Sequence, residues 1–566
     1  MAIEKTERER LEDRISSMKA ERQEFEHDWE DIGRLCSPNR TDIRASQTPY
    51  SGRRRRRSNT VLQDTASRIA ARRLTNGMAT GLTSASRPWF KLTTHDPELR
   101  DFQPVKEWLQ VTEMAIYAFF AKTNYYDATK MQYADLGPMG VGAVLSLEHP
   151  EYMGVYHHMP VGTYHLALDD GLRLRAFVRN TAPTVHQLFS IVGGDRAKLS
   201  APVLNAYDKG NYEDRVPCVH VIERNTDVDG KFIDPGVRKP WRSVRFEVGQ
   251  NDKKIILTKG GFDSQPVTAP RWETSGDQVY CDSSPGFEAL GDMRELQLVA
   301  RRKSRATDIM VKPPLAAPAG LSRTGLSLDP GTINYIDAQS GDVVSALVSQ
   351  DPRIPGALRE DIDWHTRRVN EIFYADLFMA ISDMEGVQPR NEQELMYRNE
   401  EKLTQLGPVV DRVNIEKLEV DVQRAYTILK NLGMLPPIPD ELAGKPLEIE
   451  FVSILAQAQK ASSNAAIERA ARFVGFVAGL FPDAAIKFDA EQAIDEYAAS
   501  SGTTPTIIRS DELVAQMKAQ AQAQAQRAEA AQNAPAMRDA AEAARLLSET
   551  KIDDQGTSAL QRMLGQ

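Results

Sequence analysis

The sequence predicts an α+β fold, on three observations. In the opening segment, Leu11, Ile15, Met18, Phe25, Trp29 and Ile32 recur at steps of three and four, with Arg22 as the one polar position in the stripe. Between about 140 and 280, short apolar alternations are separated by turn residues, the pattern of half-buried strands. Beyond 283 helical periodicity returns. It is cleanest in Ile415, Leu418, Val422, Ala425, Leu429 and Leu432.

Each element follows from local chemistry. Ser37-Pro38 stops the first helix, because proline disfavours helical backbone in the residue before it. A polar loop, 38–60, carries the run "SGRRRRRSNT". A second helix spans about 61–82, ending near Gly77 and Gly81, and "SRPWFKL" (86–92) turns into an extended piece. Residues 104–136 read as helical, opened by Pro104. "TYHLAL-DDG-LRLRAFV" (163–178) reads as a hairpin around Asp170-Gly171. "PCVHVIER", "WRSVRFEV" and "KKIILTK" are further strands.

Ser284-Pro285 supplies a capping hydroxyl and a first-turn proline for a helix over 283–310. "KPPLAAPAG" (312–320) ends it, and "TINYID" is a short strand beyond. A long helix from near 355 carries Leu358, Ile362, Val369, Phe373, Leu377 and Ile381 on one face. The polar stretch 382–390 interrupts, and Asn391 with Glu394 forms a capping box for the next helix. Gly433 and Pro436-Pro437 end the helix that follows. More helix is expected at 456–480 and 487–500. The Ala/Gln-rich stretch 515–532 has no apolar stripe, so it forms either a lone helix or a loose tail.

Bulk properties narrow the function. The 566 residues are 41% hydrophobic and 26% charged, ordinary for a folded chain with a sizeable core, and suggest roughly three or four domain-sized parts. The net charge is −9, so any contact with nucleic acid is local or is not a grip. Cys36, Cys218 and Cys281 are far apart and form neither a disulfide framework nor a zinc motif, which fits a reducing compartment. The charged start, "MAIEKTERERLEDRI", lacks the apolar run of a secretory signal. "FVGFVAGLF" (473–481) is far short of the ~20 residues of a membrane span.

Motifs for chemistry are missing. There is no GxxxxGK[ST] phosphate loop, no HExxH and no GxSxG, so no catalytic residue and no cofactor is assigned. His157, His158 and His165 lie close in sequence, but neighbours on a strand face opposite ways. At most one of the pair could join His165, and the reading is strand histidines, not a metal site. Asp169-Asp170 sits where a turn wants carboxylates. A nuclease would need a metal-binding carboxylate cluster, and none is found by spacing.

Two basic clusters stand out. Arg53, Arg54, Arg55, Arg56 and Arg57 repel one another and belong to a loop. Four readings are open: phosphate contact, docking on an acidic neighbouring subunit or partner, a nuclear-import patch, or a solvated loop. Arg301, Arg302, Lys303 and Arg305 wind around a helix at ~100° per residue and form no single stripe. Intersubunit ion pairing and DNA contact are both open for them.

Several stretches in order resemble the head-to-tail connecting (portal) proteins of short-tailed bacteriophages. "LTNGMATGLTSASRPWFKL" (74–92) resembles that family's "GL…RPWF" signature. "LGPMGVGAVL" (136–145) is similar to its glycine-rich turn before the β region. "PRWETSGDQVYCDSSPGFEALGDMRELQ" (270–297) resembles the segment entering the first stem helix, with Cys281 where the family often has glycine. "KPPLAAP" is similar to its proline-rich exit.

The resemblance implies a portal-type subunit with long stem and tunnel helices. Residues 1–95 would be N-terminal helices and the arginine-rich loop, 96–282 a β-containing wing, and 283–310 the first stem helix. A small clip insert (311–352), a second stem helix (353–381) and a tunnel loop (382–390) would follow. Then come a tunnel helix returning to the wing (391–455), a helical crown (456–505) and the tail (506–566). It implies a homo-oligomeric ring of about twelve copies at one capsid vertex of the virion, made in the host bacterial cytoplasm. Double-stranded DNA would pass through it during packaging and ejection. Terminase, major capsid or scaffolding protein and a tail adaptor protein would dock on it, and no membrane is involved. The motor ATPase is a separate protein in that family, in agreement with the missing phosphate loop. Asp383 and Glu385 would keep DNA centred by repulsion, with Arg390 as a transient contact. The alternative from another class is a helical scaffold or adaptor without a channel.

Overall fold

The computed structural model describes residues 6–37, 62–96, 102–226, 230–318, 329–336, 353–378 and 406–452 without interruption, with isolated further positions between and beyond. The chain divides into two units, 1–462 and 463–566. In the second, the described residues are short helical stretches such as 470–477 and 538–543. The fold is α+β, as expected. The Asn391–Glu394 capping box and Ile381 lie outside the described residues.

Helix α1 (Glu7–Cys36) opens with a capping box that the sequence reading missed. Thr6 Oγ1 accepts from the Glu9 amide at 3.3 Å, and the Thr6 amide donates to the Glu9 carboxylate at 2.8 Å. Its apolar stripe splits between two layers. Leu11 and Met18 cover a sheet face, while Trp29, Ile32 and Cys36 enter the main core. The polar stripe position, Arg22, is buried and fully used. It donates to the carbonyls of Gly162 (2.9 Å) and Tyr164 (2.8 Å) and to Glu26 at 2.6 Å.

Helix α2 (Ala66–Leu82) starts later than the expected 61. The Gln297 side chain accepts from the amides of Gln63 and Asp64 and donates to the Asp64 carbonyl, which ties down the approach as non-helical chain. Strand β1 (Phe90–Thr94) is the extended piece after "RPWF". The expected helical stretch over 104–136 is two helices, α3 (Gln103–Lys122) and α4 (Tyr125–Met139). The break at Asn124 has a tertiary cause: its amide exchanges two hydrogen bonds with the Tyr156 backbone, at 2.7 and 2.8 Å.

The middle region holds two antiparallel sheets. One is three-stranded, in the order β3 (Met153–Met159), β2 (Ala143–His149) and β9 (Val267–Thr268). The other is a five-stranded meander: β4 (Tyr164–Leu168), β5 (Leu174–Thr181), β6 (Cys218–Arg224), β7 (Trp241–Glu247) and β8 (Thr258–Phe262). The predicted 163–178 hairpin is β4–β5. Its turn is built by Asp169, whose carboxylate accepts from the amides of Gly171 and Arg173, and the left-handed residue is Leu172, not Gly171.

Three expectations fail here. "KKIILTK" is not a strand until Thr258, because Leu257 is drawn into a separate apolar cluster. That cluster forms around two unanticipated helices, α5 (Val185–Ile191) and α6 (Ala201–Asp208), inserted between β5 and β6. Ser284 does not cap the helix it precedes. Its hydroxyl donates to the Pro138 carbonyl at 3.0 Å. A one-turn helix, α7 (Pro285–Glu288), leads into α8 (Leu290–Val311).

After α8 the proline-rich exit becomes β10 (Leu315–Pro318), the middle strand of a small sheet with β11 (Ile333–Ile336) and β12 (Ser345–Ala346). Helix α9 (Ile354–Ile372) then runs beside α8. It does not continue unbroken to 381. Tyr374 has φ +53°, a left-handed backbone that bulky side chains disfavour, and helix resumes at 375–378.

The last long helical run of the first unit, 406–431, carries a π turn at Asn414–Leu418 before α10 (Glu419–Asn431). The extra residue shifts the buried face. Ile415 is therefore turned out, 43% exposed, against the expected stripe. Leu418, Val422, Ala425 and Leu429 are buried as expected, while Leu432 at the end is exposed. Strand β13 (Leu447–Phe451) closes the first unit by pairing antiparallel with β1, Phe90 opposite Phe451.

Candidate assembly and DNA-contact surfaces

Helices α8 and α9 form a hairpin, with the β10–β12 sheet formed by the chain between them. Its base is buried: Met293, Leu296 and Val299 on α8 and Val369 on α9. Asp292 fixes the pairing there, accepting from His365 at 3.0 Å and from Arg368 at 3.0 Å. The Arg368 guanidinium lies over the Trp364 ring at 5.1 Å. Arg294 ties the base to α1 through Asp31 at 2.5 Å. On its outer surface large apolar side chains stand in solvent: Leu298 and Trp364 beside the base, and Met310, Val311 and Ile354 farther along. Val311 is 72% exposed, an unusual place for a β-branched residue in a lone subunit.

The second basic cluster lies on α8. Arg301, Arg302 and Arg305 are exposed and Lys303 is half-buried. Arg302 lies 3.6 Å from Glu295, and Arg305 lies 3.6 Å from Asp329 in the turn before β11. Such exposed pairs contribute little and leave the guanidiniums available. The exposed positions of α9 mix Arg359, Arg367 and Arg368 with Glu360, Asp361, Asp363 and Glu371, so the hairpin is not a uniformly basic surface. Arg53, Arg54, Arg55, Arg56, Arg57, Asp383, Glu385 and Arg390 lie outside the described residues.

The sequence stretches singled out as motifs meet in space. A Cβ on Gly286 would stand 1.9 Å from the Pro138 carbonyl oxygen, so only glycine lets the 270–297 stretch approach the 136–145 turn. Gly140 caps α4 in left-handed conformation against the Cys281 side chain, which fills that space. Its carbonyl accepts from the Trp272 amide at 2.8 Å. Buried Arg271 then reaches Glu416 at 2.5 Å and the carbonyls of Gln278 and Leu172, linking this junction to the π turn.

The π turn also sets a buried ion pair that the sequence reading missed. Lys417 and Asp421 are almost fully buried, with Nζ and Oδ2 2.7 Å apart. The Tyr125 hydroxyl donates to Asp421 at 3.1 Å, and the ammonium contacts Thr129 and lies over the Tyr125 and Tyr133 rings. Burial lowers the Lys417 pKa and raises that of Asp421, while the short contact opposes both shifts. The i, i+4 spacing was visible, but it also describes ordinary exposed pairs. Only the π turn brings it inside.

Among the described residues, no three His, Cys, Asp or Glu side chains are grouped to hold a metal ion, and no helix is long and apolar enough to cross a membrane.

Residues 8–508 match the family of bacteriophage head to tail connecting proteins. The chain belongs to this family. It is 36% identical over 553 residues to the portal protein of Salmonella phage epsilon15, covering 97% of each chain. It is 34% identical over 523 residues to a probable portal protein of Bordetella phage BPP-1, covering 91% of each.

Proposed function

We propose that this chain is a phage portal subunit. Copies of it, about twelve, close into a ring at one capsid vertex through which double-stranded DNA enters and leaves. The observation that carries this reading is the likeness to a named portal protein over nearly the whole of both chains. The exposed apolar residues of the α8–α9 hairpin support it, since a repeated head-to-tail interface would cover them. The role is structural rather than catalytic.

In this reading 283–310 and 353–381 are the stem, 311–352 the clip that meets terminase and the tail adaptor, and 382–390 the tunnel loop. Residues 1–95 and 96–282 form the wing with its arginine-rich loop, 391–455 the tunnel helix and return, 456–505 the crown, and 506–566 the tail. Major capsid or scaffolding protein surrounds the ring. The subunit is made in the bacterial cytoplasm and ends in the virion. The arginine run lies peripheral to the channel, against a neighbour, the shell or packaged DNA.

The net charge of −9 suits a conduit. Phosphate neutralisation binds DNA strongly through counterion release, and a channel that passes a genome must avoid it. Asp383 and Glu385 repel the duplex from the wall, and Arg390 touches it transiently. Asp383→Lys with Glu385→Lys should stall packaging in a DNA-protection assay. Unchanged packaging would remove the tunnel-loop assignment.

A further inference from the structure

The five-stranded sheet has two unlike faces. One carries Ala176, Val178, Val219, Val221, Val244 and Phe246, covered by Leu11 and Met18 of α1. The opposite face carries a cross-strand row: Arg179 on β5 is paired in register with His220 on β6, which is paired with Arg245 on β7. Register partners share a face and lie within contact distance. Two guanidiniums thus flank one imidazole on adjacent strands.

The row has no acid in it. Neither arginine has a carboxylate at ion-pair distance among the described residues. Arg179 Nε donates to His220 Nδ1 at 3.1 Å and reaches the Met159 sulfur at 3.7 Å. His220 must therefore hold its proton on Nε2, which lies 2.8 Å from Ser243 Oγ. The imidazole is neutral and wholly buried. Burial, then the charges of Arg179 and Arg245, hold its pKa well below the usual range. His157 lies on the same side of β3 as Met159, which Arg179 touches, with its outer edge exposed; desolvation, then the charges of Arg179 and Arg245, lower its pKa. Glu247 lies two positions along the face from Arg245, but one oxygen takes the Ser200 hydroxyl at 2.6 Å and the other has no partner.

Arg179 and Arg245 stand one strand apart on either side of His220, and the charge of Arg245 opposes that of Arg179. Part-buried guanidiniums without a counter-charge are costly unless an anion completes them. Their planar forks match the oxygens of a tetrahedral oxyanion, and the Ser243 hydroxyl and His157 add neutral donors.

We propose that Arg179, Arg245, His157 and Ser243, arranged around His220, form a binding site for a phosphate-class oxyanion. The anion bridges the two guanidiniums and relieves their repulsion. It is supplied either as free phosphate or as a phosphate group of nucleic acid.

The test is calorimetric titration of the full-length protein with inorganic phosphate, ionic strength held constant with chloride. Saturable binding is expected, weakened at least about tenfold in Arg245→Gln, the loss of one charged hydrogen-bonding group. A second reading separates binding from damage to the fold. In chloride alone Arg245→Gln should unfold at the same or a higher temperature than the parent, since it removes repulsion. In phosphate the parent should gain and the variant should not. No saturable heat, equal affinity in both proteins, or a less stable variant in chloride would overturn the site; the last would mean that Arg245 has an internal partner such as Glu247. Adding a short DNA duplex identifies the source: displacement of phosphate assigns the anion to nucleic-acid backbone, and no displacement assigns it to free phosphate.

Discussion

Gly77 of α2 lies against Phe378, so close that a Cβ there would stand 2.0 Å from the ring's Cγ. This contact fastens the short helical stretch after Tyr374 to the main core, immediately before the segment proposed as the tunnel loop.

Gly77→Ala should therefore cost about 1–3 kcal/mol through overpacking. Phe378 is 6% exposed and the ring has little room to retreat. Thermal unfolding checks this. In a Phe378→Ala background the same glycine change should cost much less, because the two residues share one space. Additive costs would mean that the clash is relieved elsewhere.

The Lys417–Asp421 pair should behave as a unit. Lys417→Met alone leaves a buried carboxylate without its cation, a loss of about 3–5 kcal/mol. The double change Lys417→Met with Asp421→Leu should recover more than half of that in chemical denaturation. Equal losses in the single and double variants would contradict the coupling.

His165 sets a pH dependence. It is 3% exposed, and burial, then the charges of Arg22 and Lys19, push its pKa down to about 3. A histidine depressed in the folded state binds protons more readily when unfolded, so its contribution weakens stability as pH falls below 6.5. At pH 4 the loss is on the order of 3 kcal/mol, at ~1.4 kcal/mol per pKa unit. His165→Gln should flatten the stability profile between pH 6.5 and 4. An unchanged slope would assign the acid sensitivity to other groups.

The long helices were legible because burial on one side writes a period into the chain. Trp29, Ile32, Val422 and Leu429 are inside for that reason. Breaks decided by distant partners were not legible. Asn124 ends a helix because of Tyr156, Gln297 delays α2, and the π turn exposes Ile415 while burying Lys417. No local propensity signals such contacts. Arg22 was visible as a polar position in an apolar stripe, yet its carbonyl partners come from more than a hundred residues away. Of the candidate contact residues, Arg301, Arg302 and Arg305 are exposed on α8 and Lys303 is half-buried; their place on a helix was legible, their partner was not. The cross-strand row at Arg179, His220 and Arg245 depends on register, which single-strand patterns do not carry.

The ring is the central claim, and the assembled mass of the purified protein tests it most directly. Light scattering, with negative-stain images of the same peak, should give a closed ring of about a dozen subunits with a central hole. A stable monomer or dimer at every concentration would contradict the self-assembling ring and favour a helical scaffold without a channel.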